Sequence, residues 1–144
     1  MNTFAAIALD RDGLLTKENS GYITEEDEIE LLPGVFEAFD LIPEIPVYLV
    51  TKQRAISLGI LTEERLSELH DRLQSLLDFS FNDILVEPEK KLKTDCFNRL
   101  IDIVGSSNIL YLDNDPEQCR AASECGLTAV CTTELYKTLQ KWIT

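Results

Sequence analysis

FAAIALDRDGLL, residues 4–15, is the stretch that decides the fold. Its first six residues form an apolar run of strand length with no clear alternation, which suits a strand buried on both faces. That run empties without a spacer into Asp10-Arg11-Asp12-Gly13. Outward along the chain, similar runs recur at 46–50 (PVYLV), 84–86 (ILV) and 108–112 (NILYL), with a weaker one at 127–131 (LTAVC). The segments between them have helical spacing. Thr62 is a fair N-cap ahead of Leu66, Leu69, Leu73, Leu76 and Leu77. Leu92, Phe97, Leu100, Ile101 and Val104 recur similarly before Gly105, Pro116 opens a segment that closes at Gly126, and Leu135, Leu139, Trp142 and Ile143 supply a last helix. Alternating strand and helix predicts an α/β fold: an open, mainly parallel sheet with helices on both faces and right-handed connections.

Length and composition agree. A chain of 144 residues reads as one domain, 1–144, and 44% hydrophobic with 27% charged residues is ordinary globular composition. The formal net charge of −13 argues against nucleic acid or an anionic membrane as partner, since both reward basic surfaces. It is compatible with a small ligand, a basic protein or a divalent cation. No stretch has the length of a signal peptide's apolar core or a membrane span, so a cytoplasmic protein is expected. Cys96, Cys119, Cys125 and Cys131 form no C-x-x-C pair and His70 is the single histidine, so reduced thiols are expected and a Cys/His zinc site is not. His70 falls within an amphipathic helix, where a surface or partly packed side chain is expected rather than a catalyst. The acidic run at 25–30 (EEDEIE) reads as a solvated loop face.

Ligands of such sheets bind beyond the carboxyl ends of the strands. Those ends carry Asp10 and Asp12, then Thr51 with Lys52 and Gln53, then Lys90 and Lys91 after a short acidic loop, and finally Asp113-Asn114-Asp115. Residues two apart on an extended segment point the same way, so Asp10 and Asp12 can face one ligand. Carboxylates gathered with Asp113 repel one another unless a cation joins them, and hard oxygen donors suit Mg²⁺. A carboxylate held there can attack phosphorus, and a second carboxyl can trade a proton with the leaving oxygen and then with water. Lysine and hydroxyl donors offset the charge of the phosphoryl oxygens.

That constellation, in that order, resembles the haloacid dehalogenase (HAD) superfamily of phosphatases. The D-x-D-G motif matches Asp10-Arg11-Asp12-Gly13, the Ser/Thr motif matches Thr51, and LDNDPEQCRAASECGL (112–127) looks like the acidic-pair motif with Asp113 and Asn114 at the pair. For the lysine motif Lys91 is taken over its neighbours Lys90 and Lys93. A closer likeness is to the histidinol-phosphate and heptose-bisphosphate phosphatase group, through residues 10–15, Gly21-Tyr22, Pro33-Gly34-Val35 and the segment 51–62. The resemblance implies a three-layer, Rossmann-like HAD sheet and a Mg²⁺-dependent phosphomonoester hydrolase working through an aspartyl phosphate on Asp10. In that reading Asp12 is the acid/base and Thr51 and Lys91 are phosphate donors. The metal ligands are Asp10, Asp12 through its backbone carbonyl, Asp113 and Asn114.

The sequence also departs from that group. Lys52 replaces its Asn, Leu58 its substrate-holding Arg, and Asn114 its second acid, and no zinc-binding loop precedes the lysines. Arg54 is the candidate stand-in, so Gly13, Lys52 and Arg54 are the candidate substrate-binding residues. The short stretch between Gly13 and Pro33 leaves no room for a cap domain. The expected partner is a small phosphorylated substrate, with a larger one or closure by a second subunit, as in a homodimer, as further readings of an uncapped site. The alternative is a catalytically weak or inactive binding or regulatory module on the same fold, and a third reading is a phosphotransferase.

Overall fold

A computed structural model describes residues 3–89 and 91–143. Five strands, β1 (Ala6–Leu9), β2 (Val47–Lys52), β3 (Asp83–Glu87), β4 (Ile109–Asp113) and β5 (Thr128–Cys131), form one sheet in the order β3-β2-β1-β4-β5, and every pairing is parallel. The helices are α1 (Val35–Ala38), α2 (Arg54–Ser57), α3 (Glu63–Leu77), α4 (Thr94–Val104), α5 (Pro116–Glu124) and α6 (Leu135–Ile143).

Both faces of the sheet are buried, as the unalternated strands require. Ile7, Leu9, Leu49, Leu110 and Leu112 pack with the α3 stripe Leu66, Leu69, Leu73 and Leu77 and with Leu135 and Leu139 of α6. On the opposite face Ala6, Ala8, Tyr48, Val50, Ile109 and Tyr111 pack with Cys96, Phe97 and Leu100 of α4 and Ala121 and Ala122 of α5. The helix ends follow their local chemistry. The Thr62 hydroxyl accepts from the Arg65 amide at 3.0 Å, and Asp115 caps α5 by accepting from the Glu117 amide.

Two departures from the sequence reading bear on the site. The second strand runs two residues beyond Val50, because Thr51 and Lys52 pair with Val86 and Glu87 of β3. Leu92 does not begin a helix: α4 starts at Thr94, leaving Leu92 exposed and Lys93 buried at the N-cap position.

This topology fixes where a ligand can sit. From the central β1 the chain winds outward to β3, then crosses back to lay β4 on the other side of β1. At that reversal the connections leaving β1 and β4 diverge, opening a crevice at the carboxyl edge. Leu9 is in register with Leu112, so Asp10 and Asp113 emerge side by side there. Between β1 and α1 the only helical element among the described residues is a 3-10 turn, Glu26–Glu28, and nothing there forms a cap over the crevice.

Candidate active site

Asp10, Lys93 and Asp113 form the floor of the crevice, and all three are buried. Lys93 Nζ lies 2.6 Å from Asp10 Oδ1 and 3.1 Å from Asp113 Oδ2, and it also donates to the Val50 carbonyl at 2.9 Å. Tyr111 lies 2.9 Å from the same ammonium and donates a short hydrogen bond to Asp113 Oδ2, while Asp113 Oδ1 accepts from the Asp115 amide. Burial alone would lower the Lys93 pKa, but the charges of Asp10 and Asp113 outweigh it and hold the ammonium protonated. Burial raises the Asp10 carboxyl from 3.8 to about 7, with Lys93 opposing the rise and Asp113 adding to it.

The lysine at this position is Lys93 and not Lys91. Lys91 is half-exposed and forms ion pairs with Asp95 at 2.8 Å and Glu87 at 3.8 Å. Its i,i+4 partner Asp95 holds it along the outside of α4, whereas the residue at the N-cap of α4 points under the strand ends. Lys90 falls outside the described residues. A positional signal was present in the sequence: helices that follow parallel strands begin at the sheet's carboxyl edge, so the lysine nearest the helix start is the one brought to the site.

Above the floor, Asp12 is held from the side. Arg11 donates to both its oxygens, Nε to Oδ1 at 3.0 Å and Nη2 to Oδ2 at 3.1 Å. Gln53 Nε2 donates to Asp12 Oδ2 at 3.2 Å and to Thr51 Oγ1 at 2.7 Å, and the Thr16 hydroxyl reaches Asp12 Oδ1 at 3.3 Å. Arg11, His70 and Tyr111 were not among the sequence candidates, and Gln53 was named at its strand end with no role. Arg11 lay between two motif residues, and buried side chains that act on others leave no motif of their own.

Gly13 has φ +90°, and a Cβ there would overlap the Asn114 amide and press on the Glu18 carboxylate, which are hydrogen-bonded at 3.1 Å. A glycine is needed for both reasons. Asn114 thus stands at the rim with its amide donating to Glu18. Lys52 and Arg54 form no ion pair among the described residues. Lys52 lines both the crevice and an adjoining cleft of about 240 Å³, whose wall includes Arg54, Tyr22 and Asn19. Leu58, at the end of α2, is exposed.

The crevice, of about 430 Å³, is lined by five carboxylates (Asp10, Asp12, Glu18, Asp113 and Asp115) against two lysines, Lys52 and Lys93. A phosphate would meet a net negative wall, which a divalent cation reverses. The donors on offer are oxygens only, from Asp10, Asp113 and Asn114, so the set fits Mg²⁺, an ion that keeps several waters and takes few protein ligands. No group of three or more His, Cys, Asp or Glu side chains among the described residues is already drawn together as a metal cage.

One consequence is measurable without turnover. The unfolded Asp10 ionises near 3.8, so between about pH 4 and pH 7 the native state holds more protons and stability falls as pH rises. A cation on Asp10 favours the ionised form and offsets that loss. Mg²⁺ is therefore expected to raise Tm more at about pH 7.5 than at about pH 5.5. Equal increments, or none, would remove Asp10 as a ligand.

This is the fold of the HAD-like phosphatases, with the crevice where the sheet order reverses. Among solved structures, the chain is similar to a D,D-heptose 1,7-bisphosphate phosphatase from B. bronchiseptica complexed with magnesium and phosphate. The TM-score is 0.80 at 18% identity, over 94% of this chain and 85% of that one. It is also similar to a putative HAD-like phosphatase from Mesorhizobium loti (TM-score 0.74, 17% identity, 97% and 86% covered). A third is D,D-heptose 1,7-bisphosphate phosphatase from Burkholderia thailandensis (TM-score 0.71, 14% identity, 96% and 98% covered). No family model and no curated protein matches this chain. Identities this low speak for the fold, and the chemistry has to be argued from the site. Among the described residues, no helix is long and apolar enough to cross a membrane.

Proposed function

We propose that this chain is a single-domain, uncapped phosphomonoester hydrolase that uses Mg²⁺ and passes through an aspartyl phosphate. The observation that carries the reading is one buried ammonium, Lys93, shared by Asp10 and Asp113 at 2.6 and 3.1 Å beneath a crevice walled by carboxylates. Asp10, at the end of a rigid central strand, is the nucleophile: its carboxylate forms the bond to phosphorus as the bond to the leaving oxygen breaks. Asp12 delivers the proton to that oxygen; water then bonds to phosphorus as Asp12 takes its proton, and the bond from Asp10 to phosphorus breaks to release phosphate and restore the carboxylate. Thr51 accepts from Gln53, which leaves its own hydrogen for a phosphoryl oxygen. Lys93 neutralises the floor and takes the part first considered for Lys91. Asp10, Asp113, Asn114 and the backbone carbonyl of Asp12 would hold Mg²⁺, which when bound would supply the positive charge that lets an anionic phosphoryl group enter. The adjoining cleft takes the rest of a small phosphorylated substrate, with Lys52 and Arg54 recognising a polar or anionic leaving group.

The test is phosphate release from an aryl phosphate and from a panel of sugar, amino-alcohol and nucleotide phosphates, with Mg²⁺ and with chelator. Release that requires the metal is expected. On the best substrate, Lys52→Ala and Arg54→Ala are expected to raise KM about tenfold with kcat little changed, the signature of lost uniform binding. Silence of the folded wild type across the panel would favour a binding module. The Asn114 amide, where a second acid is expected, is the observation on that side.

A further inference from the structure

The Arg11 side chain, 1% exposed, reaches more than Asp12. Its Nη2 also donates to Gln53 Oε1 at 3.2 Å, and its Nη1 lies 3.2 Å from Nε2 of His70. A guanidinium can only donate hydrogen bonds, so His70 Nε2 accepts and the imidazole is neutral with its proton on Nδ1. Burial, and then the Arg11 charge, press the His70 pKa down to about 3, against a smaller opposite pull from Asp12. His70 belongs to the buried stripe of α3, between Leu69 and Leu73, where the other buried positions are all leucine. A histidine there is a departure that needs a reason, and Arg11 is the partner it meets.

We propose that His70 is a positioning residue: by accepting from Arg11 it fixes the guanidinium that holds the Asp12 carboxylate at the crevice. This rests on the phosphatase reading, in which Asp12 moves the proton. The fork that grips Asp12 is planar, so its orientation is set by what its far corner meets. Gln53 orients one amino group and His70 the other, and together they leave Arg11 one way to lie. Without an acceptor at His70, Nη1 becomes a buried donor with nothing to bond, and the plane is free to tilt away from Asp12.

The experiment has two arms. His70 is the single histidine in the chain, so ¹⁵N NMR of the uniformly labelled wild type shows one imidazole. The expected signature at about pH 7 is the Nδ1–H tautomer with an unprotonated Nε2. In parallel, Mg²⁺-dependent hydrolysis of the best phosphomonoester is measured for wild type, His70→Leu and His70→Gln. The Gln carbonyl oxygen reaches about as far as Nε2 and can accept from Arg11. Positioning predicts that His70→Leu loses about tenfold or more in kcat with KM within about twofold, while His70→Gln stays within about threefold of wild type. A purely packing role predicts the reverse order, because Leu suits the apolar stripe and Gln does not. An Nε2–H tautomer, or a His70→Leu variant at least as active as His70→Gln, overturns the proposal, and the tautomer arm requires no variant to fold. A wild type silent on every phosphomonoester fails the phosphatase reading and takes the positioning role with it. An active wild type with the order reversed fails the positioning role alone.

Discussion

Asp10→Asn is expected to end phosphate release, with a loss of about 10³-fold or more, because an amide cannot form and release the phosphoryl bond. The same variant should fold within about 1 kcal/mol of wild type, since the amide keeps the shape and one oxygen for Lys93 and also removes a charge that is costly to bury. Rate measured beside a urea melt therefore separates chemistry from structure. A folded Asp10→Asn protein that still released phosphate at a tenth of the wild-type rate would remove Asp10 as nucleophile. A folded, silent variant beside an active wild type is the expected result. The contrast has a physical origin: burial raises the Asp10 carboxyl to about 7, so its ionised form costs stability whether or not it carries the proposed chemistry.

Lys93→Met should have the largest effect on stability of any single substitution at the site. It leaves Asp10 and Asp113 buried side by side with no ammonium, and breaking a buried ion pair from one side costs about 3–5 kcal/mol. Mg²⁺ should recover part of that loss, because it joins the same two carboxylates. Lys91→Met removes ion pairs at a half-exposed side chain, and its urea midpoint should stay at the wild-type value. Equal midpoints for the two variants, or a larger loss at Lys91, would contradict the assignment of the buried lysine. Comparing the two decides between neighbours that differ by two positions in sequence and face opposite environments.

That pair also shows where the sequence was legible and where it was not. The five strands were readable because burial on both faces leaves only apolar residues, a signal that survives in a single chain, and each observed strand lies within two residues of its run. Asp10, Asp12, Thr51 and Asp113 were readable as candidates because topology alone sends the ends of parallel strands to one edge. The catalytic parts played by those residues remain proposals. The sequence alone does not separate Lys91 from Lys93: the apolar spacing from Leu92 onward reads as helix, and the turn that exposes Leu92 and buries Lys93 is set by tertiary contacts. The backbone amide of Lys93 is in fact held by Gln118 of α5 at 2.9 Å, a partner 25 residues away. His70 was expected at the surface or partly packed, yet it lies on the buried stripe of α3 with Leu66, Leu69, Leu73 and Leu77; what no periodicity of α3 reveals is its partner, Arg11.

The placement of β4 beside β1 carries a consequence for synthesis. Asp10 is made well before the ammonium that neutralises it, which comes 83 positions later, with Asp113 later still. At about 5–20 residues per second, the Asp10–Gly13 motif waits several seconds for the residues that complete the crevice. A nascent chain, or a fragment cut between β3 and β4, carries the conspicuous Asp-Arg-Asp-Gly signature without Asp113, because the floor of the crevice is built only when the returning strand docks. Under the proposed phosphatase reading, activity begins only once β4 has been made and has docked beside β1.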